Sequence, residues 1–168
     1  MQGKVQETIE FTLLSNGLDF IWSAVEHLSG GSGKRDLKYA VLHLCSGIEL
    51  VLKERLRQEH WSLVFQKLDS ASKKAYETGE FTSVSFHACL KRLTNIGEVN
   101  ITKKQQQELI AFRSKRNRME HFNIVDSVNA LTAAAAGVLS FLVNFINSEL
   151  HPESFSDGDV DLLDRIRR

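Results

Sequence analysis

Proline is nearly missing from this chain, with one in 168 residues. Helices can therefore run long without the lost N–H and ring clash that break them. Cysteine is also scarce. Cys45 and Cys89 sit in apolar helical patterns without CxxC spacing, which excludes a disulfide scaffold and reads as two reduced core thiols in a cytoplasmic protein. Net charge is absent, 21 Lys and Arg against 21 Asp and Glu, so no global field announces a nucleic-acid partner. The opening MQGKVQETIE has no apolar signal region, and no membrane partner is expected. The most apolar stretch, Ala130 to Ile146, is interrupted by Thr132, Ser140 and Asn144 and reads as a buried helix. Alternating strand patterns and Asn-Gly or Asp-Gly turns are lacking. So are a nucleophile elbow, an HExxH pair and histidines at ligand spacing on one helix face, so neither metal nor cofactor is expected. His27, His43, His60, His87 and His151 are scattered and read as core or surface residues.

Apolar residues recur at helical spacing almost throughout. Val5, Ile9, Leu13, Leu14, Leu18, Ile21, Val25 and Leu28 mark a first helix that stops at the linker Ser29–Gly33. Gly33-Lys34 is not a phosphate loop, because Leu28 and Arg35 stand where that motif needs Gly and Ser or Thr. Asp36 is the expected N-cap of a second helix running to Glu59. A short helix follows from Trp61 to Leu68, then a polar loop from Asp69 to Phe81. Ser83 or Ser85 caps a helix ending at Gly97. Thr102 with Gln105 forms a capping box. Asp126 caps the last long helix, whose Ala133–Gly137 segment suits close approach of a neighbour. The fold class is all-α, a bundle of long antiparallel helices over residues 1–150. Residues 151–168 form an acidic tail that enters a further helix near Asp161, either a frayed terminus or the start of something longer.

Against this background one cluster stands out. Lys103, Lys104, Arg113, Lys115, Arg116 and Arg118 fall within sixteen positions, and they lead into Arg116-Asn117-Arg118-Met119-Glu120-His121. Arginine offers a permanent charge and planar donors for phosphate; histidine moves a proton near neutral pH. These are the two capacities that metal-free RNA cleavage requires. The spacing alone is not selective, since Arg55 and His60 repeat it without the asparagine. At about 100° per residue, Arg116 and His121 lie about 140° apart, with Arg113, Glu120 and Asn117 in the arc between them. Leu109 and Ile110 fall in the same arc one to two turns earlier, so an apolar stripe turns polar along one helix. Either this end lines a polar cleft or interface, or Phe112, Met119 and Phe122 carry the core face and the polar arc is solvated.

An Arg-Asn-x-x-x-His run late in a helix resembles the signature of the HEPN superfamily, helical bundles found in prokaryotic toxins and anti-phage effectors. The early helix Leu37–Lys53, with small residues, an apolar stripe and a Glu-x-x-x-Lys ending, is similar to theirs, and the resemblance spans Val5 to Glu149. It implies an HEPN-like antiparallel bundle and a metal-independent endoribonuclease that dimerises to join two motifs in one cleft. His121 would then act as acid and base, Arg116 would hold the scissile phosphate, and Asn117 would orient the imidazole or the RNA. Arg113, Lys115 and Arg118 would add affinity for the RNA backbone. Glu49 would support the arginine or pair with Lys53, and Glu120 would compensate charge. Substrate RNA, a homodimer and an antitoxin or regulatory partner follow as partners. Asn123 stands where many such toxins carry a modifiable tyrosine. The alternative is a non-catalytic module of the same type that dimerises or docks a partner.

Overall fold

The computed structural model describes residues 8–30 and 33–168. Seven α-helices account for most of these residues: α1 Leu13–Gly30, α2 Lys34–Glu59, α3 Lys73–Thr78, α4 Phe86–Asn95, α5 Lys103–His121, α6 Val128–Glu149 and α7 Asp157–Arg167. Among the described residues no strand forms beyond one isolated antiparallel bridge between Phe65 and Ser83. The protein is all-α.

Helix α2 is the axis of the fold, packing against α1, α4, α5 and α6. It buries Leu37, Val41, Leu44, Ile48, Val51, Leu52 and Leu56 at helical spacing, and its last turns also bury Lys53, Glu54 and Arg55. A helix whose last turns are buried on every side cannot stay purely amphipathic there, so its charged residues must find partners. Lys53 meets Glu49 at 2.7 Å, and the two Glu54 oxygens accept from Arg57 Nε and Nη2 at 2.7 Å each. The α1–α2 crossing is closest at Gly17 and Gly47. A Cβ on Gly47 would stand 2.6 Å from Ile21 Cγ1 and 3.1 Å from the Gly17 carbonyl oxygen.

Several boundaries differ from the sequence reading, each for a local reason. Helix α1 begins at Leu13, where Thr12 and Ser15 exchange hydrogen bonds of 2.8 and 3.0 Å between backbone N–H and hydroxyl. Ile9 precedes it, non-helical and exposed; Val5 and the linker residues Gly31 and Ser32 lie outside the described residues. Gly33 caps α2, and Asp36 instead sits in its first turn, 3.3 Å from His27 Nδ1. Trp61–Val64 and Leu68–Ser70 are two separate 3₁₀ turns. Ser72 accepts from the Ala75 N–H and starts α3 inside the stretch read as loop. Ser85 caps α4, and the Thr102–Gln105 capping box is present on α5. Ser127 caps α6, displacing Asp126, whose carboxylate accepts from Ser127 N–H and pairs with Lys115.

Helix α6 is not buried as expected. It is long and apolar enough to cross a membrane by length and composition, yet only 33% of its most apolar window is covered. Leu131, Ala135, Val138, Leu142, Phe145 and Ile146 face the core, while Ala133, Ala136 and Gly137 face outward. Among the described residues no neighbouring element comes within 4 Å of a Cβ built on Gly137, which with Ala133 and Ala134 lines a groove against α5. The tail forms α7 through a Ser156–Asp159 capping box. It returns to α1, bringing Leu163 and Ile166 into the common core and Arg165 to 6.0 Å from the Trp22 ring.

Candidate functional site on the fifth helix

Helix α5 begins under its capping box and buries only Leu109 and Phe112 along its length. Beyond Phe112 its α2-facing side becomes polar. Met119 is half-buried, but Phe122, the expected continuation of the core face, is 85% exposed. The alternative of a core face with a solvated arc holds for Phe112 and Met119, with Glu120 and His121 exposed, and departs from the structure at Phe122. Residues just past the C-terminus, Val125 among them, are exposed as well.

The arc closes on a single oxygen. Glu120 Oε2 lies 2.7 Å from Arg116 Nη1 and 3.4 Å from His121 Nε2. The same Arg116 nitrogen donates to Asn117 Oδ1 at 3.1 Å. The i,i+4 spacing of Arg116 and Glu120 places them one turn apart on one face, and His121, the last residue of the helix, reaches back to the same carboxylate. A cation at this end also meets the negative pole of the helix dipole. Arg116 is about one-quarter exposed and His121 two-thirds. The guanidinium is thus partly enclosed while the imidazole stands open.

Opposite this arc lies α2. Burial pushes the Cys45 thiol up to about 12, against the opposing pull of Arg116 and Arg113 beside it. Glu49, one turn further along α2, is taken up by Lys53, which also donates to Ser83 Oγ at 2.9 Å. Arg113 lies 5.4 Å from the Phe86 ring centroid, bridging to the start of α4. The structure therefore gathers Arg113, Arg116, Asn117, Glu120 and His121 on one side of α5, with Glu49 facing them across α2. Lys115 and Arg118 go elsewhere. Lys115 lies about 100° and Arg118 about 160° around the helix from Arg116, and Lys115 is held by Asp126. Their electrostatic influence on Asp126 holds its carboxyl below the usual range, led by the Lys115 hydrogen bond. Among the described residues no three of His, Cys, Asp and Glu converge as a metal-holding group.

The repeat at Arg55 and His60 has different surroundings. Arg55 is buried, donates to Glu59 at 3.1 Å and to the Gly97 carbonyl at 3.3 Å, and leaves its Nε without a partner. His60 caps a 3₁₀ turn through Ser62. Two features escaped the sequence reading. One is the burial of Lys53. The other is a ring cluster formed by His27, Tyr39 and His43 between α1 and α2. The i,i+4 spacing of Tyr39 and His43 was its only sequence signal. No family model, curated protein or solved structure matches the chain.

Proposed function

We propose that this protein is an HEPN-type, metal-independent endoribonuclease of the toxin or anti-phage kind, acting as a homodimer. The observation that carries the reading is the shared Glu120 oxygen. An anionic oxygen can contact Arg116 and His121 at the same time, and a phosphoryl oxygen of RNA entering in place of the carboxylate would meet the same two groups. Arginine then balances the charge developing on phosphorus, and imidazole exchanges the proton. In the reaction the ribose 2′-oxygen bonds to phosphorus as its proton passes to an imidazole. The bond from phosphorus to the 5′-oxygen breaks and that oxygen is protonated, leaving a 2′,3′-cyclic phosphate. One imidazole cannot begin on both sides of phosphorus, which is why a second copy of the motif completes the site. Asn117 fixes the arginine's orientation, and Arg113 adds backbone affinity. The exposure of His121, Phe122 and Val125 around the end of α5 leaves an apolar rim for that second copy.

The test is incubation of purified protein with single-stranded RNA in excess EDTA, together with the DNA of the same sequence. Cleavage of RNA alone, ending in cyclic phosphate, is the expected outcome. Intact RNA, with the protein dimeric, would replace this reading by a non-catalytic dimerisation module.

A further inference from the structure

The ring cluster lies between α1 and α2, with Tyr39 about 120° around α2 from Cys45, which faces α5. His27 and Tyr39 stack with centroids 5.7 Å apart and planes inclined by 28°, and His43 stands 5.4 Å from His27 and 6.1 Å from Tyr39. The cluster is anchored from behind. Ser23 Oγ meets His43 Nδ1 at 2.9 Å, and Asp36 Oδ1 meets His27 Nδ1 at 3.3 Å. On its outer side it is covered in part by two cations. Tyr39 is half-buried, and the two groups over its ring, the Arg35 guanidinium and the Lys38 ammonium, each 5.7 Å from the centroid, belong to exposed side chains. A rigid aromatic surface framed by exposed cations is the combination that holds single-stranded nucleic acid, through base stacking and backbone charge together.

Its position extends the candidate site. Tyr39 precedes Cys45, which faces Arg116, by six residues on α2, roughly 9 Å along the axis. The half-buried Leu42 and Ser46 occupy the strip of α2 between them. Lys38 also lines a groove of about 390 Å³ with Lys34, Met119 and Val125, directly beside the end of α5. Asp36 and Asp19 are the acidic groups near the rings, and the three cations Lys34, Arg35 and Lys38 outnumber them. We infer that Tyr39, backed by His27 and His43, is a stacking platform for a base of the same single-stranded RNA. This rests on the ribonuclease reading for its ligand but not on Arg116 or His121 for its binding energy.

The experiment uses the intact chain and a fluorescent 12-nucleotide RNA carrying 2′-O-methyl groups, which binds without a nucleophile for cleavage. Tyr39→Ala should weaken binding about tenfold, which corresponds to ~1.4 kcal/mol, and Tyr39→Trp should bind at least as well as wild type. In wild-type protein the His27 and His43 ring-proton resonances should shift on titration and saturate with the anisotropy, a readout that needs no variant to fold. Unchanged affinity in folded Tyr39→Ala, or stationary ring resonances at saturation, would overturn the platform. Cleavage of ordinary RNA separates the two readings. Cleavage lost in Arg116→Ala with Tyr39→Ala binding normally removes the platform alone. A Tyr39-dependent affinity with cleavage surviving Arg116→Ala and His121→Ala removes the catalytic reading alone. A wild-type protein that binds no RNA removes both.

Discussion

The chain contains the spacing of one arginine, four residues and a histidine twice, and the two copies have opposite fates. Arg55 is buried at the end of α2, its guanidinium tying Glu59 to the Gly97 carbonyl, and His60 faces away to cap a turn. Arg116 and His121 lie on a helix end whose apolar support has run out, and they meet at one carboxylate. Spacing on a helix only says that two side chains are neighbours within 140° or so. Burial separates the two arginines: Arg55 is enclosed by core and holds a backbone carbonyl, whereas Arg116 stays about one-quarter exposed and pairs with a carboxylate.

The sharpest way to break this contrast is to silence each copy in turn. His121→Ala should lower RNA cleavage by about 10²–10⁴-fold, and Arg116→Ala comparably, while the melting temperature moves by no more than about 2 °C because both side chains sit outside the core. Activity retained in either variant defeats the assignment. Arg55→Ala should behave in reverse, costing about 2–3 kcal/mol through its lost charged hydrogen bonds and lowering the melting temperature by roughly 5–10 °C. His60→Ala should cost about 1 kcal/mol as a lost cap. In both, cleavage per folded molecule should equal wild type. An Arg55→Ala protein that melts normally but does not cut would exchange the roles of the two copies.

Smaller effects sharpen the comparison. Glu120→Gln removes the charge that occupies Arg116, so RNA should bind about two- to fivefold more tightly at low salt, in keeping with an exposed ion pair. The gain should shrink as salt is added; filter binding at two ionic strengths checks it. Weaker binding would mean that Glu120 assists the RNA instead of standing in its place. The smallest effect concerns the thiols. Cys45, beside Arg116, and Cys89 both have their pKa raised from 9.0 to about 12 by burial. A raised folded-state value means that their stabilisation is whole below about pH 9 and is lost as pH rises toward 12. Denaturant titrations across that window should show a declining midpoint, and the double variant Cys45→Ala, Cys89→Ala should flatten the decline.

The sequence reading went furthest where a signal was local. The Thr102–Gln105 capping box needs only two side chains three residues apart, and it forms as written. The all-α class followed from periodicity and the lack of proline. The N-caps of α2 and α6 were misplaced because Gly33 and Ser127 compete with nearby aspartates, and each aspartate found a tertiary partner instead, His27 for Asp36 and Lys115 for Asp126. Helix α3 was hidden in a polar run because only Ala75 and Tyr76 of its six residues pack against the core. At the candidate site, the arc from Arg116 to His121 was visible on a helical wheel. Lys115 and Arg118 were grouped with Arg113 although they diverge from that arc, and the capture of Lys115 by Asp126 depends on a loop that brings the two together from eleven residues apart. The His27–Tyr39–His43 cluster spans two helices and could not be read from either one.

The crossing at Gly47 has a consequence for motion. With Ile21 and the Gly17 carbonyl already within contact of the space a methyl group would take, α1 and α2 can neither roll nor slide past each other without opening the core. Amide hydrogens around that crossing should be the last in the molecule to exchange with solvent, while those in the final turn of α5 exchange by local fraying. The first two helices form a stationary keel.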